Sequence, residues 1–177
     1  MKRHLIQAAE GALGGAAGTF LMQKGMGLMG KLPESYQPHQ MKGDPAEYVV
    51  SKAEEMAGRA IPLEHRDKAK QSASWIYGVG WGVLLGALAP AVDLRSPGRA
   101  AAAGALFGAG VWAAGYAGWL PKAGLVDPIG QQSPRRSIAP LVSHVLYGVV
   151  CALPIFLIER FREPKLTRWQ RLVRRFT

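Results

Sequence analysis

The sequence predicts an all-α, polytopic membrane protein forming a single domain over residues 1–177. It has four transmembrane helices in a small-residue-packed bundle, an amphipathic helix in the first loop and a basic interfacial helix at the C-terminus. Three observations predict this class. First, charge is segregated: no Asp, Glu, Lys or Arg occurs in residues 71–92, 100–120 or 137–158, although 19% of the chain is charged. Each run is long enough, at ~1.5 Å per residue, to cross a hydrocarbon core of ~30 Å as a helix, and none shows the polar face of a soluble core helix. Second, glycines recur every fourth residue within apolar sequence, as Gly78, Gly82 and Gly86 do in "YGVGWGVLLGAL". Glycine costs roughly 0.8–1 kcal/mol against alanine inside a soluble helix, whereas in lipid a small-residue stripe lets two backbones approach closely. Third, the net charge of +10 is unevenly placed, with Lys and Arg crowding residues 160–177 after the last apolar run.

The first span is expected over residues 5–30. Its centre, "GALGGAAGTFLM", is apolar, and Glu10 and Lys24 lie toward opposite ends. The opening "MKR" would suit a signal peptide, but Gln7 and Glu10 interrupt the apolar h-region that such a segment needs. Residues 31–70 are polar and carry both signs of charge. Within them, residues 44–58 read as one amphipathic helix: Asp44 caps, Pro45 and Glu47 suit the first turn, and Gly58 stops it. Val49, Val50, Ala53, Met56 and Ala57 share a face, which is expected to lie on the membrane surface or to cap the bundle. The second span follows at residues 71–92, and the short connection 93–99 makes spans two and three antiparallel neighbours. The third span is residues 100–120. A Pro/Gly loop without periodicity leads to the fourth, residues 137–158.

The tail, residues 165–177, places Leu166, Trp169, Leu172, Val173 and Phe176 on one helical face. Lys165, Arg168, Arg171, Arg174 and Arg175 occupy the rest. This is the pattern of an interfacial helix on anionic headgroups, each basic residue near the surface contributing about 1 kcal/mol. Nothing else in the chain offers a basic platform for nucleic acid, so the expected partners are membrane lipids and a membrane-protein partner or second copy. Four spans place both termini on one side. The concentrated basic tail beside the last span assigns that side to the cytoplasm.

The glycine stripes supply expected packing partners. Gly11, Gly15 and Gly18 of span one, and Gly104 and Gly108 of span three, are expected to meet Gly78, Gly82 and Gly86. The halves also echo each other: "GALGGA" from Gly11 recurs as "GALFGA" from Gly104, and "YGV" at Tyr77 recurs at Tyr147. This predicts a parallel repeat of two hairpins about an axis along the membrane normal.

Candidate chemistry is sparse. "GMGLMG" (Gly25 to Gly30) matches G-x-G-x-x-G in letters, but the dinucleotide mechanism needs a strand before it and a helix after it. A helix precedes it here and Pro33 follows soon after, so the glycines are read as loosening the exit of span one. Glu10, Lys24, Ser74 and His144 are the polar groups in or near the membrane, where such residues are functional hypotheses by default. Arg99 is the expected partner of Glu10, Lys24 snorkels, and His144 is expected to bond Ser74 or a backbone carbonyl. No metal or cofactor site is expected: the four histidines are scattered, and Cys151 stands alone.

A small-residue first helix, a long polar loop and a glycine-bearing second helix come first, then a basic turn, an Ala/Gly third helix and a fourth with "SHVLYG" and "IERF". In this order the chain resembles the YagU-type family of bacterial inner-membrane proteins, a family of unknown function. His144, Tyr147 and Gly148 carry most of the resemblance, and Ser74 stands where His144 would recur in the other half. The resemblance implies a bacterial inner-membrane location and carries no catalytic residue. The functional expectation is a non-catalytic scaffold, accessory subunit or stress-related membrane protein. The alternative is a small transporter or proton pathway using Glu10 and His144. An enzyme acting on lipid would need paired carboxylates or metal ligands that the sequence lacks.

Overall fold

The computed structural model describes residues 2–92, 94 and 96–162. The basic tail, 165–177, with Lys165, Arg168, Trp169, Arg171, Arg174 and Arg175, lies outside them. The described residues form helices and turns with no strand. In chain order the helices are α1 (Lys2–Met29), α2 (Pro45–Ala57), α3 (Leu63–Leu88) and α4 (Pro97–Trp112); a π-helical segment (Ala113–Trp119) runs into α5 (Leu120–Lys122), and α6 (Pro134–Arg162) follows. Among the described residues, three stretches are long and apolar enough to cross a membrane: Leu63–Ala91, Pro97–Lys122 and Pro134–Phe161. These are the helices built on the three charge-free runs, and they are consistent with a membrane protein. α1 is 28 residues long but falls short in hydropathy, because Gln7, Glu10, Gln23 and Lys24 dilute its apolar centre.

Local signals act where the sequence places them in α2. The Asp44 carboxylate accepts the Ala46 amide at 2.9 Å, Pro45 opens the helix, and Gly58 closes it in the left-handed region at φ 62°. α3 starts earlier than its apolar run, at Leu63 directly after Pro62, so its first turns are charged. Pro62 cannot continue a helix from the N-terminal side, and the following residues are good helix formers. α1 continues through Gly25 and Gly27, around which there is open space, and ends only after Met29.

The tight seams are α1 against α3, α4 against α6, and α1 against α6. Each is a close approach of backbones at glycine. A Cβ on Gly82 would lie 2.6 Å from the Gly15 Cα, and one on Gly11 would lie 2.9 Å from the Gly86 Cα. On the other side of the bundle, a Cβ on Gly104 would lie 2.8 Å from the Val149 Cα, and one on Gly148 would lie 2.8 Å from the Gly108 Cα. The third seam uses a second face of α1, where a Cβ on Gly14 would lie 2.8 Å from the Cys151 Cα. Real Cβ atoms are not found so close to backbone, so an alanine at these positions would push the helices apart.

The partners differ from those expected. Gly11 and Gly15 face the stripe of α3, but Gly104 and Gly108 meet α6 at Gly148 and His144. Gly18 faces neither stripe: its missing side chain makes room for the Tyr147 ring, whose Cδ2 lies 2.7 Å from where a Cβ would stand. α3 and α4, joined by the short connection, touch through side chains instead, with the rings of Trp81 and Phe107 6.0 Å apart. The aromatic bulk on these faces keeps their backbones from meeting. The main core cluster gathers Leu85, Ala89, Leu94, Ala100, Tyr147, Cys151, Ala152 and Ile155.

Candidate functional site

In a chain of this composition, the polar side chains inside the bundle are the places where chemistry could reside. α1 presents them on its buried face: Gln7 is 2% exposed, Glu10 3% and Thr19 7%, while Leu5, Leu13, Phe20 and Leu21 point outward. This polarity is inverted relative to a soluble amphipathic helix, and the glycines between Gln7, Glu10 and Thr19 mask its helical period in the sequence.

Each inward group meets protein. Gln7 Nε2 donates to Glu159 Oε1 at 2.9 Å, joining the start of α1 to the end of α6. Thr19 Oγ1 donates to its own helix at the Gly15 carbonyl, 2.7 Å away. The Tyr147 hydroxyl donates to the Gly78 carbonyl, so this ring reaches from α6 across the gap left by Gly18 to α3. Tyr147 is 4% exposed and Cys151, one turn further on, is fully buried.

The His144 ring nitrogen Nδ1 donates to the Pro140 carbonyl of its own helix at 2.8 Å, and the ring stands edge-on to Tyr116 with centroids 6.0 Å apart. Ser74 is engaged separately, its hydroxyl donating to the Lys70 carbonyl at 3.1 Å. Of the two acceptors expected for His144, the structure supplies the carbonyl and leaves Ser74 on another helix. The Lys24 ammonium lies 5.6 Å from the centre of the Phe20 ring on its own helix. Arg99 is exposed in the first turn of α4, its amide donating to Ser96 Oγ at 3.3 Å.

Glu10 and His144 do not converge. The α1/α6 seam runs antiparallel, with Gly14 beside Cys151 and Gly18 beside Tyr147. Glu10 therefore lies level with the region of Ile155, some three helical turns from His144, or about 16 Å at the helical rise. Among the described residues, no three His, Cys, Asp or Glu side chains gather as metal ligands would.

A second polar concentration lies outside the bundle, where α2 folds back along the first turns of α3. Arg66 Nε donates to Glu47 Oε1 at 2.7 Å, and Arg66 Nη1 to Glu54 Oε1 at 3.0 Å. Lys70 Nζ pairs with Asp44 Oδ2 at 2.8 Å, and Glu54 also accepts the Ile61 amide at 2.6 Å. The Lys70 ammonium holds the Asp44 carboxyl below its ordinary value. The Ile61 amide, and then the Arg66 guanidinium, do the same for Glu54.

This ionic seam leaves the apolar face of α2 mostly exposed. Val50 alone of the apolar set is buried, at 4%, while Val49 is 44% and Met56 88% exposed and Ala53 and Ala57 also face outward. Glu47 and Glu54 are what α3 binds, because its first turns carry Arg66 and Lys70. At the same end, Tyr48, Tyr77 and Trp119 cluster, with Trp119 6.3 Å from Tyr48 and 6.4 Å from Tyr77. Lys42 of the first loop pairs with Asp127 of the last at 2.7 Å.

The two hairpins pack in similar ways but not in the register the sequence repeat implies. Contact partners place Gly148 and His144 of α6 where Gly82 and Gly78 stand in α3, one turn from the alignment of the two "YGV" matches. Ser74 therefore does not occupy the place equivalent to His144.

Searches found no matching protein-family profile, no matching curated protein and no matching solved structure.

Proposed function

We propose that the chain is a small multi-pass protein of a bacterial inner membrane, similar to the YagU type, acting as a non-catalytic scaffold, accessory subunit or stress-related protein. In this reading α1 is a fourth span, both termini are cytoplasmic, and the glycine seams hold the four spans as one unit in lipid. The observation that carries it is the orientation of α1. Gln7, Glu10 and Thr19 turn inward, Gln23 and Lys24 near its far end are exposed, and its outward face is Leu5, Leu13, Phe20, Leu21 and Leu28. A helix with that polarity suits hydrocarbon outside and protein inside. Gln7 is engaged by Glu159 and Thr19 by the backbone of its own helix, and Glu10 and His144 stand three turns apart. That distribution supports a packed structural bundle over a proton pathway. The anionic-lipid role of the basic tail belongs to the same proposal.

Two measurements test this reading. Reporter fusions at both termini are expected to place them together in the cytoplasm, and fusions on opposite sides of the membrane would overturn the four-span topology. Purification in mild detergent is expected to recover a membrane-protein partner or a homo-oligomer with bound lipid. Recovery only as a lone monomer, together with proton flux in liposomes that His144→Ala abolishes, would replace the scaffold reading by the transporter.

A further inference from the structure

The π-helical segment Ala113–Trp119 is seven residues long, whereas π geometry usually occurs as a single-turn bulge. Its ladder can be followed rung by rung. The Leu120 amide donates to the Gly115 carbonyl, five residues back. The next rung would run from residue 121 to the Tyr116 carbonyl, but residue 121 is proline and has no N–H. In an α-helical register the same proline ring would clash with the carbonyl of Ala117, four residues back. Pro121 thus disfavours the ordinary register and leaves the π register one donor short.

Gln132, eleven residues further on, supplies that donor. Its Nε2 donates to the Tyr116 carbonyl at 3.2 Å and to the Asp127 carbonyl at 2.7 Å. The side chain is 7% exposed, and its Oε1 is buried without a hydrogen-bond partner. A buried amide oxygen left unsatisfied is costly, so the side chain is held there for its two N–H groups. We propose that Pro121 and Gln132 together form a register lock on the end of α4, the proline excluding the α register and the glutamine completing the π register from the neighbouring loop.

The lock has a mechanical consequence. A shift of one residue in helical register turns everything beyond it by about 100°, and Trp119 sits at the end of the segment against Tyr48 of α2 and Tyr77 of α3. The loop carrying Gln132 therefore controls whether Trp119 faces α2. Movement of that loop, which also holds Lys42 through Asp127, is transmitted to the α2 hairpin through one indole ring.

The test is a suppressor cycle in the full-length protein in detergent, read by thermal unfolding and by hydrogen exchange of amides 113–120. Gln132→Leu removes the donor and is expected to lower Tm by roughly 2–10 °C and to raise exchange in the segment at least tenfold. Pro121→Ala restores a backbone N–H at the missing rung and is expected to change little alone. In the Gln132→Leu background it is expected to return Tm and exchange most of the way. If Gln132→Leu does not fold, recovery of folded protein in the double variant is the same positive result. Additive losses in the double variant, a double variant that also fails to fold, or unaltered exchange in Gln132→Leu would each overturn the lock.

Discussion

Where α1 crosses α3, Gly15 and Gly82 bring two backbones together with no side chain between them. Where α2 meets the start of α3, Arg66 holds Glu47 and Glu54 across the full length of three side chains. The first contact depends on shape, gains from dispersion over a dry surface, and has no group that titrates. The second depends on charge, stands in partial contact with water, and weakens with salt and acid. A single helix, α3, carries both, so the boundary between the two kinds of cohesion falls near residue 71, where its charge-free run begins.

The largest expected effect lies in the seams. Gly82→Leu should cost more than about 3 kcal/mol, because the added side chain meets backbone that cannot move aside. Thermal unfolding in detergent measures it. Gly80→Ala is the matched control: nothing lies within 4 Å of that position, so alanine should gain up to about 1 kcal/mol of helix propensity. Equal effects at 80 and 82 would show that the glycines are not packing positions.

Next in size, Tyr147→Phe removes the hydrogen bond to Gly78 while leaving the ring, and should cost about 0.5–1.5 kcal/mol. Insensitivity of that loss to salt would place it with the seams. Arg66→Ala should leave the bundle intact and selectively loosen α2. Limited proteolysis near residue 58 should become faster, and raising salt should produce part of the same change in the unaltered protein. Uniform destabilisation across the bundle would contradict the division of labour.

The smallest effect is on pH. The folded-state pKa of Asp44 is depressed by Lys70, so its contribution is fully present above the ordinary carboxylate value near 4 and is lost as pH falls through the lower folded value. Asp127 behaves likewise because of Lys42. Hydrogen exchange in α2 should therefore rise as pH is lowered from about 5 to 3, after correction for intrinsic rates, with the seam amides following much less.

The two regions also differ in how far the sequence revealed them. Features set by neighbours in the chain were legible: the charge-free runs located three helices, and Asp44 and Gly58 fixed the ends of α2. Features set by distant partners were not. Nothing local distinguishes Gly104, which meets α6, from Gly11, which meets α3. That Glu47 and Glu54 bind α3 depends on Arg66 continuing a helix, which their own neighbours in the chain do not reveal. Gly14 could have been found, since Gly14 and Gly18 form a second four-residue stripe beside Gly11 and Gly15. Gln132 could not, since its role depends on a proline that only a π-helical ladder makes conspicuous.

Tyr147 has a consequence for the order of assembly. Its hydroxyl belongs to α6, its acceptor to α3, and the passage between them exists only over Gly18 of α1. Neither hairpin alone can form this contact. During synthesis α1 and α3 emerge first and can close their glycine seam before α6 is made. Tyr147 can engage only after both are in place, and so it marks completion of the bundle. An infrared or fluorescence signature of this one phenol would time the last step of folding.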